Sequence, residues 1–266
     1  MSISVLHSLW PILLAAMEDR FCHLTEHLPE GRVVRQGSVL SCLSGWASDT
    51  FNTVLGIPTH CAQVDATTAL YHRYRWPACW WLPEEAPNEV RSWLHRSGWQ
   101  PAETDMAMAK EIRDLPVISQ RPDFVVKEVT GNDDMQLFGR IISTIFEDEA
   151  PVEAAEVREV YAAMTPPIPS QQNWQLLMGF ERGVPVATAS LFIKSGIASL
   201  NDIATHPSYR RRGVGTAMFE AALQRIHHSG AEWCVLQASE AAQSLYARQG
   251  FSALGTIETW SLADEP

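Results

Sequence analysis

Cysteine is scarce in this sequence. The chain has five, Cys22, Cys42, Cys61, Cys79 and Cys234: an odd number, scattered, with no Cys-x-x-Cys pair. That pattern excludes a disulfide framework and a zinc knuckle, and it fits reduced thiols in a cytoplasmic protein. Long hydrophobic runs are missing too. The most apolar stretch, Val5 to Met17, is interrupted by Pro11 and is too short to cross a bilayer. No Lys or Arg precedes it, so it lacks the basic leader of a signal peptide, although Ala15-Ala16 could pass for a cleavage site. It reads as the first helix of a soluble domain, with no membrane partner. Positive charge is also short: 20 Lys and Arg stand against 31 Asp and Glu, a net charge of -11. The acidity is shared, with 9 basic and 13 acidic residues up to position 120, then 11 and 18 after it. A nucleic-acid partner, which needs many phosphates neutralised, is disfavoured, and a cationic or amine partner is easier to accommodate.

What remains is the material of a folded α/β protein. Of the 266 residues 46% are hydrophobic and 19% charged, enough for a real core and too apolar for disorder. Two domains of roughly equal size are expected, 1–120 and 121–266, joined near Pro116 and Pro122. In the first, helical spacing of Leu9, Ile12, Leu13, Ala16 and Met17 is followed by strands at Val39–Trp46 and Phe51–Ile57. A helix at Ala62–Tyr74, a strand at Ala78–Leu82, a helix at Asn88–Arg96 and a strand at Asp105–Ile112 complete it. The second opens with a strand at Phe124–Val129 and helices near Asp133 and over Val152–Met164. Three strands follow: Gln175–Glu181, Val184–Lys194 and Ala198–Thr205. A helix at Val214–Ser229, a strand at Trp233–Ala238, a helix at Glu240–Gln249 and a strand at Phe251–Leu262 end the chain. This order predicts a mixed central sheet with helices on both faces.

The most informative segment runs Thr205-His206-Pro207-Ser208-Tyr209-Arg210-Arg211-Arg212-Gly213-Val214-Gly215-Thr216-Ala217. A strand ends, a basic turn with two glycines follows, and a helix begins. Free N–H groups at a helix start attract an anion, and glycine lets the backbone approach it closely. The segment is not a Walker loop, because no Gly-Lys-Ser/Thr follows. It is not Gly-x-Gly-x-x-Gly either, since Met218 stands three residues after Gly215.

This loop resembles that of the Gcn5-related N-acetyltransferase (GNAT) family, whose form Arg/Gln-x-x-Gly-x-Gly/Ala is filled by Arg210, Gly213 and Gly215. Downstream, Ala242-Gln243-Ser244-Leu245-Tyr246-Ala247-Arg248-Gln249-Gly250-Phe251 resembles the family's A-x-x-L-Y-x-x-x-G-F segment. The resemblance covers residues 123–262. It implies acetyl-CoA as acyl donor, no metal, and direct transfer to a small-molecule or peptide amine. The two central strands are expected to splay, so that Ile203, Ala204 and Thr205 pair with the pantetheine arm like an added strand. Backbone groups of Arg211, Arg212, Gly213, Val214, Gly215 and Thr216, with Arg210, are expected at the pyrophosphate, and the Ser239 hydroxyl near the cofactor. Tyr246 matches the family's general acid. For the base, Asp202 competes with Asn201, since alternate strand residues face opposite ways; the acid run Glu147-Asp148-Glu149 is a further option. A non-catalytic acyl-CoA-binding or regulatory module, and transfer of a longer acyl chain, are the alternatives.

Other residues read more plainly. Cys234 is flanked by Trp233, Val235 and Leu236, as on a buried strand. His23 and His27 are spaced i,i+4 with no third ligand nearby, so a surface or capping role is expected. His227-His228 suits a helix C-terminus.

The first half looks like a worn copy of the second. Trp93-Leu94-His95-Arg96-Ser97-Gly98-Trp99 parallels Leu245-Tyr246-Ala247-Arg248-Gln249-Gly250-Phe251, with Leu94 at the Tyr246 position. Its turn Gly56-Ile57-Pro58-Thr59-His60 has no arginine cluster. Two tandem GNAT-like domains are therefore expected, the first without a cofactor site, as a monomer with pseudo-dimeric halves or as a homodimer. Seven of the ten tryptophans lie before residue 100, so this half must bury several of them.

Overall fold

The computed structural model describes residues 3–113, 121–147, 150–168 and 173–263. The chain folds into two compact units: residues 1–108 with 237–266, and residues 109–236. The unit boundaries fall inside two strands, β5 (Gln100–Glu111) and β10 (Trp233–Ala238).

The first unit starts with α1 (Ile3–Glu26), which carries Pro11 inside it, and the hairpin β1 (Arg32–Gln36) and β2 (Val39–Leu43). Then come β3 (Thr53–Leu55), α2 (Cys61–Tyr74), β4 (Ala78–Pro83), α3 (Asn88–Arg96) and most of β5. It is completed by α7 (Glu240–Arg248) and β11 (Ser252–Leu262). Its strand order is β1-β2-β3-β4-β11-β5. β11 lies antiparallel to β4, from Ile257 opposite Pro83 to Leu262 opposite Ala78. The compact units therefore cut the chain differently from a division at residue 120, because this pairing groups β11 with the first half.

The core of this unit is aromatic. Trp80 and Trp99 are fully buried and meet edge to face at 5.3 Å. Around them pack Val54, Val64, Tyr71, Leu82, Leu94, Trp260 and Leu262. Both of these indole N–H groups have a partner, Gly56 O at 3.0 Å for Trp80 and Thr68 Oγ1 at 2.8 Å for Trp99. Strand β1 was not expected from the sequence. Its signal is the two-residue Gly37-Ser38 turn, where Gly37 takes φ +63°, as such hairpins favour.

The second unit contains β6 (Phe124–Glu128), α4 (Asn132–Ile142), α5 (Pro151–Ala163), β7 (Trp174–Glu181), β8 (Val184–Lys194), β9 (Ile197–Thr205), α6 (Val214–His228) and the start of β10. The order is β10-β9-β8-β7-β6, antiparallel except for the β9/β10 pair. Helix α4 buries Met135, Phe138, Ile141 and Ile142 at helical spacing and crosses α5 closely at Gly139, where any Cβ would come within 2.8 Å of Tyr161 Cβ. Helices α4 and α6 both pack against β8 and β9, and β8 is buried at seven consecutive residues, Val186–Phe192.

The two halves share one local device. After α3, the Trp99 N–H returns to Leu94 O at 3.0 Å; after α7, the Phe251 N–H returns to Tyr246 O at 3.1 Å. Gly98 (φ +91°) and Gly250 (φ +86°) make these matching left-handed helix ends possible.

Candidate functional site: an anion cradle at a strand that outruns its neighbour

The site is built from the end of β9 and the start of α6. The parallel ladder between β9 and β10 covers only Ile197/Trp233, Ala198/Cys234 and Ser199/Val235. β9 then runs on to Thr205, leaving Leu200–Thr205 beyond the end of that ladder. This is the splay expected of the two strands, and it presents the backbone of Ile203, Ala204 and Thr205 as an edge. On its other side, β9 pairs with β8 through a register shift between Thr188 and Ser190.

Asp202 lies at that shift and takes φ +53°, unusual for a residue with a side chain. Two β8 hydroxyls hold it there. Thr188 Oγ1 donates to Asp202 O at 2.8 Å, and the Ser190 hydroxyl donates to Asp202 Oδ2. Asn201 donates to Ser199 Oγ at 2.8 Å. The bulge breaks the alternation on which the choice between Asn201 and Asp202 rested. It brings the Asp202 carboxylate to Ser190, which is the cross-strand partner of Asn201.

After β9 the chain turns through a short 3-10 segment, Pro207–Tyr209, and enters α6 at Gly213. Gly213 is the N-cap at φ +78° and offers no side-chain cap, so the first N–H groups of the helix keep their donors open. The first turn begins with Ala217 N–H to Gly213 O at 3.0 Å. The cradle is tight. A Cβ on Gly213 would stand 3.0 Å from Arg121 Nη1, and one on Gly215 would stand 3.1 Å from Thr205 Oγ1. These features fit a pyrophosphate: backbone donors at a helix start, two glycines without room for side chains, and arginines around them.

The three consecutive arginines are not equivalent. Arg210 Nε donates to Thr205 O at 3.1 Å and ties the loop to the strand end. Arg212 Nη2 reaches Glu181 Oε2 at 2.9 Å, and its guanidinium stacks 4.8 Å over the Tyr209 ring. Arg211, at φ +57° and exposed, has no side-chain partner among the described residues. Sequence reasoning missed a fourth, Arg121, which donates to Arg212 O at 2.5 Å and to Glu181 Oε1 at 2.5 Å. It is 60 residues from Glu181 and 91 from Arg212, so no local pattern could have joined them.

The remaining candidates lie as follows. Tyr246 is buried on α7, its ring 6.0 Å from Phe251. Ser239 is the exposed N-cap residue of α7, with no hydrogen bond from its side chain to the cap. Cys234 is fully buried, and burial pushes its thiol far above the usual range, the state of an inert thiol. Of the acid run, Glu147 pairs with Arg158 at 3.1 Å, while Asp148 and Glu149 lie outside the described residues. The His23/His27 pair is half-buried, with His27 Nδ1 2.8 Å from His23 O; burial, then the neighbouring His27, lowers His23 to about 4. Among the described residues no group of three His, Cys, Asp or Glu is placed to hold a metal, and no helix is long and apolar enough to cross a membrane.

The loop thus joins a strand end that extends past its parallel ladder to a helix start, inside a mixed α/β sheet. Residues 140–251 match the sequence model of the acetyltransferase (GNAT) family and form a GNAT domain. The whole chain is similar in fold to solved structures of that kind. A GCN5-related N-acetyltransferase from Kribbella flavida aligns with TM-score 0.67 at 19% identity, over 94% of each chain. A GCN5-related N-acetyltransferase from Sphaerobacter thermophilus aligns with TM-score 0.57 at 13% identity, over 88% of this chain and 83% of the other. A tandem GNAT protein from the clavulanic acid biosynthesis pathway aligns with TM-score 0.56 at 12% identity, over 100% and 97%. The fold is thus that of two tandem GNAT-like halves. No curated protein matches the chain.

Proposed function

We propose that the chain is a cytoplasmic N-acetyltransferase that moves an acetyl group from acetyl-CoA directly to a primary amine, through the GNAT domain. The observation that carries this reading is the cradle of Gly213 and Gly215 at the end of β9, where the strand outruns its parallel neighbour. The backbone N–H groups from Arg211 to Thr216 hold the pyrophosphate, with Arg210 and the exposed Arg211 adding positive charge. The β9 edge from Ile203 to Thr205 takes the pantetheine amides as an added strand. A backbone N–H from Ile203 or Ala204 polarises the thioester carbonyl.

The incoming amine must be neutral, and at pH 7 an alkyl amine is mostly protonated. Asp202 takes that proton; the Ser190 hydroxyl fixes which way its carboxylate faces. The amine nitrogen then bonds to the acetyl carbon, the carbon–sulfur bond breaks, CoA leaves as a thiolate, and the nitrogen sheds its second proton to water, from which the Tyr246 phenol is restored. Tyr246, at the tyrosine of the A-x-x-L-Y-x-x-x-G-F segment, supplies the proton to that thiolate, and Ser239 contacts the cofactor. The acidic chain, net charge -11, favours a cationic amine as acceptor.

Calorimetric titration with acetyl-CoA tests the reading. Wild type binds, and Gly213→Asp, which puts a side chain and a negative charge into the cradle at φ +78°, loses at least about 100-fold in affinity. Binding by the variant equal to wild type overturns the placement. With an accepted amine in hand, Tyr246→Phe lowers kcat by about 100-fold and leaves acetyl-CoA affinity unchanged; an unchanged kcat removes Tyr246 from the acid role.

A further inference from the structure

Glu181, at the end of β7, is 8% exposed at its side chain and sits between two guanidiniums. One of them, Arg121, also donates to the carbonyl of Arg212, inside the cofactor loop. Burying a carboxylate is costly, and a buried ion pair is often no more stabilising than apolar residues of the same size. What such a group does supply is a fixed geometry. Here three bonds, Arg121 to Arg212 O, Arg121 to Glu181 and Glu181 to Arg212, close a ring around the residue that precedes Gly213.

The charge arrangement runs against a simple electrostatic purpose. A carboxylate this close to an anion-binding loop repels the anion. It also occupies two guanidiniums that could otherwise serve the ligand. If the loop worked by positive charge alone, Glu181 would weaken it. We propose that Arg121, Glu181 and Arg212 form a positioning clamp that holds the loop in its anion-binding conformation, so that acyl-CoA affinity depends on the acidic member of the ring. The proposal rests on the reading of this loop as the pyrophosphate site. It makes Arg121, next to the expected linker, part of the cofactor apparatus, as a positioning residue.

The sign of one substitution separates the two accounts. Glu181→Gln removes a negative charge beside the loop, so pure electrostatics predicts tighter acetyl-CoA binding. The clamp predicts binding weaker by roughly tenfold, because the loop loses its restraint. It also predicts a steeper dependence of Kd on salt, because freed guanidiniums then meet the ligand as screened point charges. Arg121→Lys is the second variant. It keeps the charge but loses the planar fork that bonds Glu181 and the Arg212 carbonyl together, and it weakens binding by a similar factor. The double variant is no weaker than the worse single one, since both break the same ring.

Calorimetry with acetyl-CoA across a salt series, with circular dichroism to establish folding, reads all of these. If Glu181→Gln fails to fold, Arg121→Lys decides alone. Wild-type or tighter affinity in every folded variant, alongside loss in Gly213→Asp, overturns the clamp and leaves the site reading standing. No binding by wild type, or wild-type binding by Gly213→Asp, overturns the site reading and the clamp with it.

Discussion

The two halves lead into their central helices from differently paired strands. In the second, β9 outruns its parallel neighbour, Gly213 caps α6 without a side chain, and the helix N–H groups stay open. In the first, β3 has three residues and all three pair with β4, Thr53 with Cys79, Val54 with Trp80 and Leu55 with Trp81. These strands do not splay, so the likeness of this half to a GNAT domain rests on element order and on the tandem structural relative. Trp80 holds the end of β3 as well, its indole N–H bonding Gly56 O. The turn that leads into α2 is tied down as well. Gln63 Oε1 accepts from Thr59 N at 2.6 Å and Thr59 Oγ1 at 3.0 Å, and its Nε2 donates to Gln36 O at 2.8 Å. The same element order thus leaves a strand end beyond its parallel ladder in one half and a fully paired strand with a tied turn in the other.

Three substitutions in the sealed half probe this contrast without touching the cradle. Trp80→Ala breaks the seal most severely. It removes one of the two fully buried tryptophans of that core and costs about 3–5 kcal/mol of stability in denaturant titration. It adds no acetyl-CoA site, because no cradle lies behind it; a second equivalent of bound acetyl-CoA in calorimetry contradicts this. Asp105→Asn sharpens the contrast through pH. Burial, then the neighbouring Glu103, pushes the Asp105 carboxyl up to about 6, from an unfolded value near 4. The folded form therefore holds its proton more tightly, and stability falls as pH rises from 4 through 6. The variant is more stable than wild type at pH 7 by about 1–2 kcal/mol after allowance for solvent screening, and equal to it near pH 4. Melting curves at both pH values check this. Gln63→Ala has the smallest effect, about 1 kcal/mol, by leaving Gln36 O and the Thr59 N–H without that partner. A loss no larger than that of an exposed glutamine would separate Gln63 from the anchoring of that turn.

Much of this architecture is readable in the sequence. Periodicity and turn residues give α3, β8 and β10 with the bounds the structure has, and the paired Gly-aromatic endings point to the repeat. The cradle is legible because it is local: Arg210, Gly213 and Gly215 lie within one turn of chain. What was not legible depends on long-range closure. Strand β1 is short and half exposed, so its apolar signal is weak. The grouping of β11 with β4 joins segments far apart in sequence. The bulge at Asp202 overrides strand alternation, and the Arg121–Glu181–Arg212 ring gathers three separate segments. The equal weight given to three adjacent arginines came from reading charge without partners; one of them neutralises a buried carboxylate.

The pairing of β11 with β4 also sets a timetable for synthesis. Strand β11 lies between β4 and β5 in the sheet, yet it leaves the ribosome after every other strand. Until it emerges, the facing edges of β4 and β5 are an open slot, exposing backbone donors and acceptors that invite pairing with another chain. A domain usually folds as soon as its own sequence is out, but the first unit must wait for residues 109–236 to be made before it can close. The first unit, though its chain begins first, is therefore closed only after the second has been made.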